Sequence, residues 1–344
     1  MRRSTTTVIG IVLALTACLS AALRHQTPGV STQPNTQSSE QDKTPIDLKK
    51  VIALPAVKAP EGLGQRAMAH VRALCDLGPR YSGTPGWSKQ LDYIDGVLQS
   101  HGLKVHRDTW TDRKELLTFT NLSVTIPGKV KDRIVIACHH DTKCTSGHAD
   151  PEHNFHFVGA NDGGSGTAML LELAPILAAT PPHATIELVF FDGEESLDWR
   201  WNEAARALFG SKRYVKNHRD ALLLGKESRI AAMVLLDMVG RTDLHLQEEL
   251  YSTPKLRTIL WSAAVACGHQ ASVFRRAEAA HDDHSPFLDV GIPSLDLIDL
   301  NGNPHWHTAT DTPENMSDKS LQITADLVLT MLPEIERTYV LSKD

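Results

Sequence analysis

Beyond about residue 130 short apolar runs alternate with longer stretches of helical period, and this alternation restricts the fold more than any other property of the chain. Ile134 to Ala137, Ile186 to Phe191, Ala231 to Leu236 and Ser294 to Ile298 are the short runs. Ala168 to Leu177, Ala204 to Val215, Pro254 to Cys267 and Leu321 to Ile335 have the length and spacing of helices. Continuous apolar strands separated by helices read as βαβ units around a mainly parallel sheet. The expected fold is therefore α/β, with a mixed, mainly parallel central β-sheet flanked by helices. Upstream, Met68, Val71 and Leu74 keep helical spacing, and Trp87, Leu91, Ile94 and Leu98 mark a second amphipathic helix. Between them Gly78-Pro79-Arg80 and Ser82 to Gly86 form a dense turn cluster.

The chain of 344 residues is long enough to bury a full core. Its 35 Lys and Arg stand against 41 Asp and Glu, for a net charge of −6 with no basic block, which argues against nucleic acid as a partner. The N-terminus reads as an export signal: Arg2 and Arg3 precede the apolar run from Val8 to Leu15, followed by Thr16, Ala17 and Cys18. Leu15 to Cys18 resembles a bacterial lipobox, so residues 1–18 are expected to be a signal peptide with lipidation at Cys18. Cleavage near Ala21 or Ala22, or retention of Ser4 to Leu23 as an anchor, are the alternatives, and all three export the protein to the cell envelope, periplasm or exterior. Any membrane attachment is then through the N-terminal lipid or anchor alone. Residues 19–45 are polar and poor in apolar side chains, as expected of a disordered tether, and residues 46–344 are expected to form one catalytic domain. Cys75, Cys138, Cys144 and Cys267 are too few for a disulfide scaffold, although Cys138 and Cys144 are spaced to pair across a short loop.

Five metal-capable residues recur in order along this α/β pattern: His139, Asp162, Glu195, Asp237 and His307, with Glu194 beside the third. Each reads as following a buried strand, and ligands of open α/β sheets gather at the carboxyl edge of the strands, so all five are expected on one rim. Asp162 lies in Gly159-Ala160-Asn161-Asp162-Gly163-Gly164, a loop that opens the next helix. His, Asp and Glu side chains with an incomplete protein shell suit a catalytic zinc. Of the adjacent pair Glu194 and Glu195, one can bind metal while the other remains free to carry protons.

The pattern His-x-Asp, Asp, Glu-Glu, Asp, His resembles that of the co-catalytic zinc aminopeptidases over roughly Leu63 to the C-terminus. His139-His140-Asp141-Thr142-Lys143, Phe157 to Ala160, Phe190 to Glu195, Val234 to Asp237, Asp282-Asp283-His284-Ser285-Pro286-Phe287-Leu288 and Trp306-His307-Thr308 resemble one branch of it, the animal-type glutaminyl-peptide cyclotransferases. That resemblance implies an α/β/α sandwich of the phosphorylase/hydrolase kind and a single zinc held by Asp162, Glu195 and His307. It implies Glu194 as general acid and base, Asp237 and Asp282 in a hydrogen-bond network beside it, and Trp306 with Trp199 or Trp201 as pocket walls. The expected substrates are peptides or proteins with N-terminal glutamine.

The chain departs from the animal pattern at His281, where those enzymes carry glutamine near the substrate, at Asp296 for histidine, at Gly302 for an aromatic, and at Thr167 for the cysteine that pairs with the equivalent of Cys138. His148, His153 and His156 make the segment from Lys143 to Phe157 rich in histidine, and it reads as a surface loop. An aminopeptidase with two zinc ions is the alternative function, with His139 and Asp237 as the additional ligands. A non-catalytic module of the same fold ranks below both.

Overall fold

The computed structural model describes residues 43–180, 182–199, 201 and 204–342. The leader, the lipobox and the tether up to residue 42 lie outside them. Helices α1 (Leu63–Asp76) and α2 (Pro85–Ser100) precede β1 (Val105–Thr111), β2 (Thr118–Ile126) and β3 (Val130–His139). After α3 (Gly164–Ala179) come β4 (Ala184–Phe191), α4 (Phe209–Leu223), β5 (Ile230–Asp237) and β6 (Leu246–Glu249). The chain continues through α5 (Pro254–Cys267), β7 (Val273–Glu278), α6 (Ser285–Asp289), β8 (Ser294–Ile298) and α7 (Asp318–Glu336).

Six strands form one sheet in the order β1-β2-β4-β3-β5-β8. The pairs β4/β3, β3/β5 and β5/β8 are parallel, while β1/β2 and β2/β4 are antiparallel, giving the mixed, mainly parallel sheet expected. β6 and β7 pair separately.

Side-chain alternation divides the central strands between two layers. Ile134, Ile136, Leu188, Phe190, Val234 and Leu236 pack into the larger core with α1, α2, α3, α5 and α7. Val135, Ala137, Val189, Phe191, Met233 and Leu235 face the other way, against Val215 of α4 and Phe287 of α6. Burial on both faces is why these strands read as unbroken apolar runs.

α2 starts where the turn cluster directs it: Thr84 caps the helix by accepting from the Trp87 amide, and Pro85 occupies the first turn. α3 crosses the sheet very closely at Gly166, where an added Cβ meets the Leu236 carbonyl oxygen and lies 2.7 Å from Cys138 Cβ. Gly166→Ala gains about 1 kcal/mol of helix propensity. The collision is with backbone, however, and is expected to cost more, for a net loss of roughly 1–3 kcal/mol in urea denaturation. Unchanged stability would mean that helix and sheet separate freely.

The structure corrects several expectations. Cys138 is buried in the sheet and Cys144 is exposed, both as free thiols, because the strand end directs the two side chains into different environments. The helix expected over Ala204 to Val215 begins only at Phe209 and runs to Leu223, since Ala204–Arg206 is a 3-10 turn and Leu208 is left-handed at φ 57°. Asp162 and His307 do not follow strands directly: Asp162 sits in the loop before α3, and His307 in the loop between β8 and α7.

Candidate metal centre and active-site cleft

The parallel strands bring His139, at the end of β3, and Asp237, at the end of β5, to the same rim. Glu194 and Glu195 follow β4 there, and the loops before α3 and after β8 add Asp162 and His307. His307 Nε2 lies 3.0 Å from Glu195 Oε1 and 3.4 Å from Asp162 Oδ2. His139 Nε2 lies 3.2 Å from Asp162 Oδ1 and 3.1 Å from Asp237 Oδ1. Two ligand sets therefore share Asp162, and in each set the ligand atoms lie within 4.8 Å of one another: Asp162, Glu195 and His307, and His139, Asp162 and Asp237.

Asp162 Oδ2 and Glu195 Oε2 are buried and make no hydrogen bond among the described residues, His307 Nε2 and Lys143 Nζ each standing off at 3.4 Å. Buried carboxylate oxygens left in that state are costly unless a cation or proton meets them, so the donor set fits a bound divalent ion. Burial pushes the Glu195 carboxyl up, but His307 and Lys143 beside it outweigh that and hold it at about 2. Burial drives Glu194 well above the usual carboxylate range, with Asp282, Glu195 and Asp283 adding to the rise against His139. The adjacent glutamates thus occupy opposite electrostatic environments, one suited to staying ionised and one to exchanging a proton.

Asp141 fixes this pair, accepting from the Glu194 amide at 3.1 Å and the Glu195 amide at 3.3 Å. Lys143, buried, lies 3.4 Å from Glu195 Oε2 and donates to the Ser196 carbonyl at 2.6 Å. Asp311 accepts from the Asn161 amide at 2.8 Å and the Asp162 amide at 3.0 Å. Arg80, from the turn cluster, is buried beneath the same loop and donates to the Gly159 carbonyl at 2.9 Å. Lys143, Asp311 and Arg80 carry no role that the sequence pattern marks, and Asp141 enters it only as the acid of His-x-Asp. His140 is turned away from the site: its Nε2 faces the Thr120 carbonyl and its Nδ1 the Gln90 amide, and burial lowers its pKa to about 4.

A cleft of about 770 Å³ opens over the centre. Its walls include Glu194, Asp237 and Asp282, and the structure brings Trp199, Trp201, Trp306 and His281 to them together. Trp306 stacks on the His307 ring with centroids 4.4 Å apart and remains 40 % exposed, and Trp199 lies 5.8 Å from the same ring. Asp282 is buried in the cleft wall, its carboxyl pushed up by burial and by Asp237 and Asp283. Asp296 is buried in the same cluster, pushed up by burial, Asp282 and Glu249. Thr167 lies 3.8 Å from Cys138 Sγ, and a Cβ added at Gly302, at φ 77°, would meet the guanidinium of Arg276.

Residues 121–332 match peptidase family M28. The glutaminyl-peptide cyclotransferase of Boiga irregularis is 30 % identical over 72 % of this chain and 76 % of its own. The chain belongs to family M28, in its glutaminyl-peptide cyclotransferase branch. The crystal structure of an Acidobacteriales bacterium glutaminyl cyclase matches with 36 % identity and a TM-score of 0.72, over 82 % of this chain and 98 % of that one. A leucine aminopeptidase precursor from Bacteroides thetaiotaomicron has the same TM-score, 0.72, at 26 % identity, over 80 % of this chain and 99 % of its own, so the fold is shared with a protein of that name as well. M28 enzymes of this kind depend on metal, and the paired ligand sets are where this chain can hold it.

Proposed function

We propose that this M28 enzyme converts the N-terminal glutamine of peptides or proteins to pyroglutamate with release of ammonia, at a single zinc held by Asp162, Glu195 and His307. The observation that carries the reading is Glu194: a buried carboxylate outside that ligand set, facing the same cleft. N-terminal glutamine brings its own nucleophile, the α-amine, and its own electrophile, the γ-carboxamide, so no serine or cysteine nucleophile is required. Zinc, when bound, supplies Lewis-acid polarisation of the amide carbonyl. Glu194 accepts a proton as the amine attacks and returns it to the nitrogen that leaves as ammonia. Asp237 and Asp282 form the hydrogen-bond network beside that carboxylate, and Trp306 with Trp199 or Trp201 walls the pocket, with His281 at the rim.

The division into a signal peptide with lipobox (1–18), a tether (19–45) and a catalytic domain (46–344) is part of the same proposal, and with it export of the enzyme to the cell envelope, periplasm or exterior. The end of that tether already touches the domain, Arg257 donating to the Thr44 carbonyl, and the first residue of the domain, Ile46, donates its amide to Glu248.

The deciding assay incubates the protein with a Gln-initiated and a Leu-initiated peptide, following ammonia and mass. Loss of one ammonia from the Gln peptide alone supports the cyclase; release of free leucine makes the chain a two-zinc aminopeptidase using His139, Asp162 and Asp237. Because the attacking α-amine must be neutral and titrates near ~8, kcat/KM is expected to rise with pH through that value and then level off. A profile with its maximum in the acid range contradicts the assignment.

A further inference from the structure

The histidine-rich loop between β3 and α3 remains outside this mechanism, yet it reaches the cleft. His153 lines the cavity and stacks on Trp199 with ring centroids 3.7 Å apart and planes 18° from parallel. His148 meets both rings edge-on, at 5.0 Å from His153 and 5.7 Å from Trp199, and Phe155 meets the indole at 84°. The arm is braced from within. Thr145 Oγ1 donates to the Phe155 carbonyl at 2.6 Å, the Gly147 amide to Asn154 Oδ1 at 2.9 Å, and the Asp150 amide to His148 Nδ1 at 3.1 Å. Asp150 also accepts from the Glu152 amide at 3.0 Å and faces His153 Nδ1 at 3.5 Å. Trp199 is therefore clamped between an ordered arm and the His307 side of the centre, and its indole lines the cleft.

We infer that His153 is a positioning residue of the substrate cleft: stacked on Trp199, it fixes the indole as the wall on which the residue after the N-terminal glutamine lies. This rests on the cyclase reading and extends it to the second residue of the peptide. A wall built from stacked rings gains most from a large apolar or aromatic side chain there. Binding changes without any change at the reacting atoms, so the effect falls on KM rather than on kcat.

The test compares Gln-Phe-amide with Gln-Gly-amide on wild type, His153→Ala, His153→Phe, Trp199→Ala and the Ala/Ala double variant, with thermal melting to check folding. His153→Ala is expected to raise KM for Gln-Phe-amide between about 2- and 10-fold, the worth of one stacked ring pair, and for Gln-Gly-amide by much less. His153→Phe, which keeps a ring to stack, restores most of the loss. In the double variant the loss is no greater than with Trp199→Ala alone, because the histidine acts through the indole. Equal KM changes for the two peptides, or losses that add fully, overturn the inference and leave the cyclase reading standing. A wild type that releases ammonia from neither peptide overturns that reading and the inference with it.

Discussion

Glu194→Gln is expected to lower kcat by between about 10²- and 10⁴-fold while leaving the protein folded and its metal content unchanged. The replacement has nearly the same shape, and its backbone amide can still donate to Asp141, as Glu194 does at 3.1 Å. What it loses is the capacity to take a proton from the amine and deliver it to the leaving nitrogen. Because Glu194 is not among the ligand atoms gathered around Asp162, Glu195 and His307, the ion should remain. Ammonia release measures the rate, elemental analysis the metal, and melting the fold. Glu195→Gln is the contrasting variant, since it alters a ligand and should reduce activity and metal content together. Wild-type turnover in Glu194→Gln would remove the proposed base.

The rim of the sheet was legible because it follows from topology. Once apolar runs alternate with helices, residues at strand exits share an edge, and His139 and Asp237 are the last residues of β3 and β5. Asp162 and His307 reach that edge from loops, so their place rested on the order of residue types rather than on any strand before them. The antiparallel side of the sheet left little trace. β1 reads Val105-His-Arg-Asp-Thr-Trp-Thr, an exposed edge strand without an apolar run, and it is joined to β2 partly through hydroxyl pairs such as Thr109 with Thr120 at 2.9 Å. β6 and β7 were missed for a related reason: one is four residues long, and the other is exposed over much of its length.

The supporting residues of the site were harder still. Lys143 is an unremarked cation in a loop until tertiary structure places its ammonium between Glu195 and the Ser196 carbonyl. Asp311 is an ordinary acid after Thr310 until its carboxylate caps the amides of Asn161 and Asp162. Such roles depend on which loops meet over the sheet, and no local period encodes that meeting. His153 belongs with them: composition marked its loop as rich in histidine, but only the fold lays that ring against Trp199.

Removing the metal with a chelator is expected to abolish turnover without unfolding the chain, and restoring zinc should raise the melting temperature. The fold rests on the two cores on either side of the sheet, which contain none of the ligands. The emptied centre, however, gathers the buried carboxyls of Asp162, Glu194, Glu195, Asp237 and Asp282 around the imidazoles His139 and His307. Like charges crowded in a dry site oppose folding unless protons or a cation neutralise them. Burial has already pushed Asp162, Glu194 and Asp282 upward, the mark of that opposition. An ion that binds only the folded state, present at about a thousand times its Kd, adds roughly 4 kcal/mol, a shift of several degrees in a domain of this size. Asp162→Ala, which breaks both ligand sets at their common member, should abolish turnover and remove the zinc dependence of melting together. Cooperative loss of circular dichroism on chelation would instead mean that the ion holds the fold; a melting temperature that still follows zinc in Asp162→Ala would place the ion elsewhere.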